Sequence, residues 1–169
     1  HHFRSHEELK TLPALLHAAG YTTARVGKYH VAPESAYPFD VALGENGSNP
    51  VDMANRSAAF LEKQKNAPFF LYFCPTDPHR AGTFPGLPFN ANPHGNRPGG
   101  HEGVTETPYG MDSLRVPFFL PDAPETKAEL AQYYQSVSRM DQGIGRLFQI
   151  LKEKGLWENT IVIYLSDNG

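Results

Sequence analysis

Three short runs of strand-forming residues, each ending in a cluster of polar side chains, constrain the fold of this chain more than any other feature. They are Tyr21–Val26 (YTTARV), Phe69–Phe73 (FFLYF) and Thr160–Leu165 (TIVIYL). The second and third are nearly continuous in apolar residues, the pattern of strands covered on both faces. Helical patterns lie between them. Thr11–Ala19 reads as a short helix, with Thr11 as N-cap, Pro13 in the first turn, and Leu12, Leu15, Leu16 and Ala19 on one face. Gly20 supplies the left-handed residue that ends it. Met53–Lys65 reads as an amphipathic helix. A third helix starts at Asp122-Ala123-Pro124-Glu125, which has the spacing of a capping box, and runs to about Lys154, where Gly155 stops it. Gly143 and Gly145 each weaken that helix by roughly 1 kcal/mol relative to Ala, which predicts close packing there.

Helices alternating with buried-type strands define an α/β fold with a mostly parallel central sheet flanked by helices. In open sheets of this kind the functional site lies outside the carboxyl ends of the strands. The three strand ends carry Lys28 and His30, then Asp77, His79 and Arg80, then Asp167 and Asn168. Convergence of these clusters on one pocket is therefore the expected arrangement.

Composition bounds the alternatives. The 169 residues hold 15 Lys and Arg against 18 Asp and Glu, a net charge of −3, so no global basic surface invites nucleic acid. No apolar stretch approaches the length of a membrane span. One cysteine, Cys74, allows no internal disulfide. The 15 Gly and 15 Pro concentrate in residues 81–123, where no periodicity is visible and single aromatics punctuate the chain. A loop of this length inside a domain is typically functional or disordered.

Each cluster has a chemical and a structural reading. Lys28 and His30 flank Tyr29, so in an extended segment both point to one side, which suits an oxyanion such as sulfate or phosphate. They also fit a surface lysine and a satisfied histidine at a strand end. His79 offers a general acid and Arg80 an anion partner; alternatively Asp77-Pro78 is a turn and Arg80 belongs to a structural ion pair. Asp167 and Asn168 are hard oxygen donors suited to Ca²⁺ or Mg²⁺, and Asp-Asn-Gly is equally good turn chemistry. Asp141 lies near the apolar stripe of the last helix, where a structural bond to backbone or to an arginine is expected.

At this point the motifs become recognisable. Gly20–His30 (GYTTARVGKYH) resembles a signature of the sulfatase family, in which G-Y-x-T precedes G-K-x-H, and Tyr133–Gly169 resembles the family's segment ending in S-D-N-G. His30–Asp40, Glu45–Gly47, Pro68–Tyr72 and Asp77–Arg80 are similar to the sulfamidase-type members. The resemblance spans nearly the whole chain and is weakest over 81–109. It implies an alkaline-phosphatase-like sandwich, a formylglycine nucleophile, a bound Ca²⁺, and a sulfated carbohydrate as substrate. By this resemblance Lys28 and His79, with Arg80 beside them, contact the sulfate. His30 assists the formylglycine hydroxyl, His79 also faces the leaving group, and Asp167 and Asn168 ligate Ca²⁺. Location would be periplasmic or secreted in a bacterium and lysosomal in an animal.

The family's nucleophile motif, C/S-x-P-x-R, is not in the chain. Cys74 has Pro at +1 and +4 and Arg at +6, where the motif needs Pro at +2 and Arg at +4, so a strand cysteine is its expected role. Thr76 and Ala81 stand where sulfamidase-type members have His and Cys. Residues 1–169 therefore read as an internal segment of a sulfatase catalytic domain, with 81–123 as a substrate-side loop and no turnover expected from the segment alone. A phosphodiesterase or phosphonate hydrolase of the same superfamily, or a non-catalytic remnant, are the alternative readings.

Overall fold

The strand patterns at 21–26 and 69–73 become neighbours. In the computed structural model, which describes residues 4–166, β1 (Thr22–Gly27), β2 (Val41–Ala42) and β3 (Phe69–Cys74) form one parallel sheet in the order β2-β1-β3. The β1–β3 register runs from Thr22 opposite Phe69 to Gly27 opposite Cys74. Strand β2 spans two residues and left no apolar run to read. It is placed by Asp40 just before it, whose carboxylate accepts hydrogen bonds from Thr23 N at 2.7 Å and Thr23 Oγ1 at 2.9 Å.

The helices are α1 (Leu12–Ala18), α2 (Pro50–Lys63) and α3 (Pro124–Glu153). Helix α1 ends as expected: Gly20 N donates to His17 O and Tyr21 N to Leu16 O, the paired bonds of a Schellman stop. Leu12 and Leu15 are nonetheless about half exposed, and Pro13 is the buried residue of that helix. Helix α2 starts three residues earlier than its apolar pattern. Asn49 caps it, accepting from Val51 N and Asp52 N, with Pro50 pre-set for the first turn. The capping box expected at Asp122 does not form. Ala123 is the N-cap without a side-chain bond, and Asp122 pairs with Lys127 at 2.9 Å instead.

The core lies where α2 and the C-terminal half of α3 meet one face of the sheet. Ala24, Ala54, Phe60, Leu61, Ile150, Leu151 and Leu156 form a buried cluster, with Phe69, Leu71 and Phe73 packed against it. Each large side chain buried there contributes about 1.5–3 kcal/mol. Alternation along β3 sends Phe70 and Tyr72 to the opposite face, where Phe39 lies 6.1 and 6.0 Å from their rings. Strand β3 is thus partly buried along most of its length, with the core cluster on one face and Phe39 on the other. Gly143 is where α3 crosses α2: a Cβ there would overlap Pro50 Cβ and backbone. Gly145 faces open space, so only the first of the two glycines answers to packing.

Two expectations need correction. Residues 160–165 form no strand; Ile161 is 89% and Leu165 83% exposed. A strand needs a neighbour for its N–H and C=O groups, and no described strand lies beside this one. Asp141 is exposed, and the buried polar residues of α3 are Ser136 and Arg139. No helix among the described residues is long and apolar enough to cross a membrane.

Candidate active site

Parallel pairing puts the carboxyl ends of β1 and β3 at one sheet edge, and backbone bonds lock them there. Lys28 N donates to Cys74 O at 2.7 Å, Gly27 N to Gly44 O at 2.9 Å, and Thr76 N to Gly47 O at 2.9 Å. Gly27 has φ +87°, and a side chain there would strike Cys74 O and the Met53 methyl group. Gly47 is enclosed too, with Thr76 N at 2.9 Å and Lys28 N at 3.0 Å from where its Cβ would stand. Three chain segments therefore approach backbone to backbone at the base of the site. The glycine before Lys28 is a steric requirement of that approach.

Lys28 leaves this junction half-buried, and His30 is exposed two residues later. Across the edge, the chain turns through Thr76–Arg80, with His79 N donating to Thr76 O at 2.9 Å. The imidazole of His79 is exposed. Arg80 is exposed as well, but its Nε and Nη2 bond both oxygens of Glu129 at 2.6 and 3.3 Å. That guanidinium holds the Glu129 carboxyl below its ordinary range, against the opposing effect of burial and with help from Asn92 N–H. The structure thus brings Lys28 and the His79 turn to one edge and gives Arg80 a partner of its own.

Asp77 is buried and occupied. Arg139, 1% exposed, donates from Nε to Oδ2 at 2.8 Å and from Nη2 to Oδ1 at 2.7 Å, a bidentate pair. Ser136 Oγ adds a third bond to Oδ1 at 3.1 Å. The rest of the guanidinium is used by Asn96 Oδ1 at 2.6 Å and His94 O at 3.0 Å. His94 Nδ1 in turn donates to Pro78 O at 3.1 Å. His101, also buried, donates from Nε2 to Gly95 O, and burial pushes its imidazole pKa down, opposed by that bond. Arg139, Asn96 and His94 escaped the sequence reading. A signal was present: Ser136, Arg139 and Gly143 recur at spacings of three and four on the buried face of α3.

Cys74 closes β3 half-buried, with the Tyr72 hydroxyl 3.4 Å from its sulfur. Among the described residues no three His, Cys, Asp or Glu side chains gather where a metal ion could be held. Asp167 and Asn168, the expected Ca²⁺ ligands, lie outside the described residues.

The carboxyl edge of this parallel sheet carries Lys28 and the His79 turn, and sequence comparison identifies the family. The sulfatase family model matches residues 2–169, and the chain belongs to that family. It is 39% identical over 180 aligned residues to human N-sulphoglucosamine sulphohydrolase, covering 100% of this chain and 36% of that protein. It is 26% identical to the ulvan-active sulfatase of Formosa agariphila, covering 70% of this chain and 23% of that protein. It is also 27% identical to the Escherichia coli sulfatase YdeN, covering 94% and 32% respectively. The chain thus spans about a third of these relatives' lengths or less.

Proposed function

We propose that the complete protein hydrolyses a sulfate ester or sulfamate group of a sulfated sugar, and that this chain is part of its catalytic domain. The observation that supports this best is the shared sheet edge of Lys28 and His79, both within segments that match the family's motifs. Lys28 offsets charge on the sulfonyl oxygens, where a fixed cation is worth most as negative charge grows in the transition state. His79 faces the sulfate and donates a proton toward the leaving oxygen or nitrogen. His30 serves the hydroxyl of the nucleophile, which no motif of this chain supplies. Arg80 adds positive charge beside His79 but shares it with Glu129, so its effect on the anion is the smallest. Asp167 and Asn168, a carboxylate and a carboxamide, are the donor chemistry for Ca²⁺, which when bound would supply positive charge at the sulfate. The 81–123 loop lies on the substrate side.

The test is the complete protein assayed on matched sulfate esters, sulfamates and phosphate esters. Turnover of a sulfate ester or sulfamate is expected, with Lys28→Ala and His79→Ala each lowering kcat by about 10²–10³. Turnover confined to phosphate esters, or full activity in either variant, overturns the assignment.

A further inference from the structure

The turn that carries His79 is tied at nearly every group except the imidazole itself. Thr76 N is held by Gly47 O, Thr76 O by His79 N, Pro78 O by His94 Nδ1, and both Asp77 oxygens by Arg139. Two of these ties run through one side chain: Arg139 grips Asp77 directly and holds the carbonyl of His94, whose ring grips Pro78. Arg139 stands on α3, which packs closely through Gly143 against Pro50 of α2, so the turn is tied to the helix–helix crossing. A buried ion pair adds little net stability over well-packed apolar residues of similar volume. What it does supply is direction, because a guanidinium fork accepts a carboxylate in one plane only.

We propose that Arg139, acting through Asp77 and the His94 carbonyl, is a positioning residue that sets where the His79 imidazole stands relative to the sulfate. This rests on the reading of His79 given above. A lysine at 139 keeps the charge but can neither grip both Asp77 oxygens in one plane nor reach Asn96 and His94 O together. The turn then drifts, and misplacement by about 1 Å can cost 10²-fold in rate.

The experiment compares Arg139→Lys, His79→Gln and the double variant in the complete protein, with circular dichroism and thermal melting as fold controls. Arg139→Lys is expected to fold, to lose about tenfold or more in kcat with KM within about twofold, and to cause no further loss in the His79→Gln background. Unchanged kcat in folded Arg139→Lys, or losses that multiply in the double variant, overturn the positioning role. Normal activity in His79→Gln would instead overturn the site reading on which it rests. Should Arg139→Lys fail to fold, Asn96→Ala decides, since it removes one acceptor of Arg139 and leaves the ion pair. A loss of about threefold in its kcat at constant KM supports the proposal. Unchanged kcat, or failure of this variant to fold as well, overturns it.

Discussion

Helix α3 packs by two different chemistries along its length. Its C-terminal half presents Ile150 and Leu151 to α2 and the sheet, an apolar contact flanked at its exposed rim by the Arg146–Asn55 and Lys154–Glu62 bonds. Its N-terminal half faces the irregular 81–106 segment, and the buried residues there include Ser136 and Arg139, answered by Asp77, His94 O and Asn96, with His101 buried nearby on Gly95 O. The difference follows from what lies opposite. A sheet and a helix satisfy their own backbone groups and can offer an apolar face. An irregular segment has carbonyls and N–H groups with no ladder, so the element covering it must bring hydrogen bonds. Asn96 illustrates this: it receives Arg139 on its oxygen and donates to Gln132 O and Oε1 from its amide. Apolar contacts tolerate small shifts, whereas a network of directed bonds holds one geometry. The polar half is therefore the half that can hold a site in register.

Truncation should separate the two halves most strongly. Asp77→Ala leaves Arg139 buried without its counter-charge, a loss of about 3–5 kcal/mol in denaturant unfolding. Leu61→Ala in the apolar half costs about 2–5 kcal/mol. Hydrogen exchange should show the first loosening residues 76–106 selectively and the second the whole core. Equal loosening of 76–106 in both variants would erase the distinction.

The glycines of α3 give a smaller contrast. Gly143→Ala forces a methyl group into Pro50 and should cost about 1–3 kcal/mol. Gly145→Ala meets no atom within 4 Å and should gain about 1 kcal/mol from helix propensity. Thermal melting of the two variants in opposite directions is the expected result, and a loss in both would place the crossing elsewhere.

The smallest effect is pH-dependent. Burial lowers the folded-state pKa of His101 below its ordinary 6.5. The unfolded chain then binds the proton more readily. The stability owed to a neutral His101 is complete above about pH 6.5 and is lost as pH falls through the lowered folded value. His101→Gln, which keeps a donor for Gly95 O, should flatten the melting profile just below about pH 6.5. An unchanged slope would remove His101 from the polar half.

Much of this was legible beforehand. Strands β1 and β3 announced themselves by composition, both helix stops by Gly20 and Gly155, and the polar carboxyl ends of β1 and β3 fall at one sheet edge. The misreadings share a cause. Residues 160–165 have strand chemistry, but a strand exists only with a neighbour. Asp122 has capping chemistry but found Lys127. Asp77 read as one of a polar strand-end cluster or as part of a turn, and its partner Arg139 stands 62 positions later. Strand β2, two residues long, has no periodicity to detect.

Sequence alone determined the local preferences: which segments coil into helices, which extend, where glycine must stand, and which family the motifs resemble. These depend on contacts within a few residues, or on patterns of one side chain against its near neighbours. Only the tertiary structure decided partners. It chose Arg139 for Asp77, Glu129 for Arg80 and Pro50 for Gly143, because each choice depends on which distant surfaces meet. It also left the His79 imidazole exposed at the end of a turn whose backbone and Asp77 carboxylate are held by hydrogen bonds.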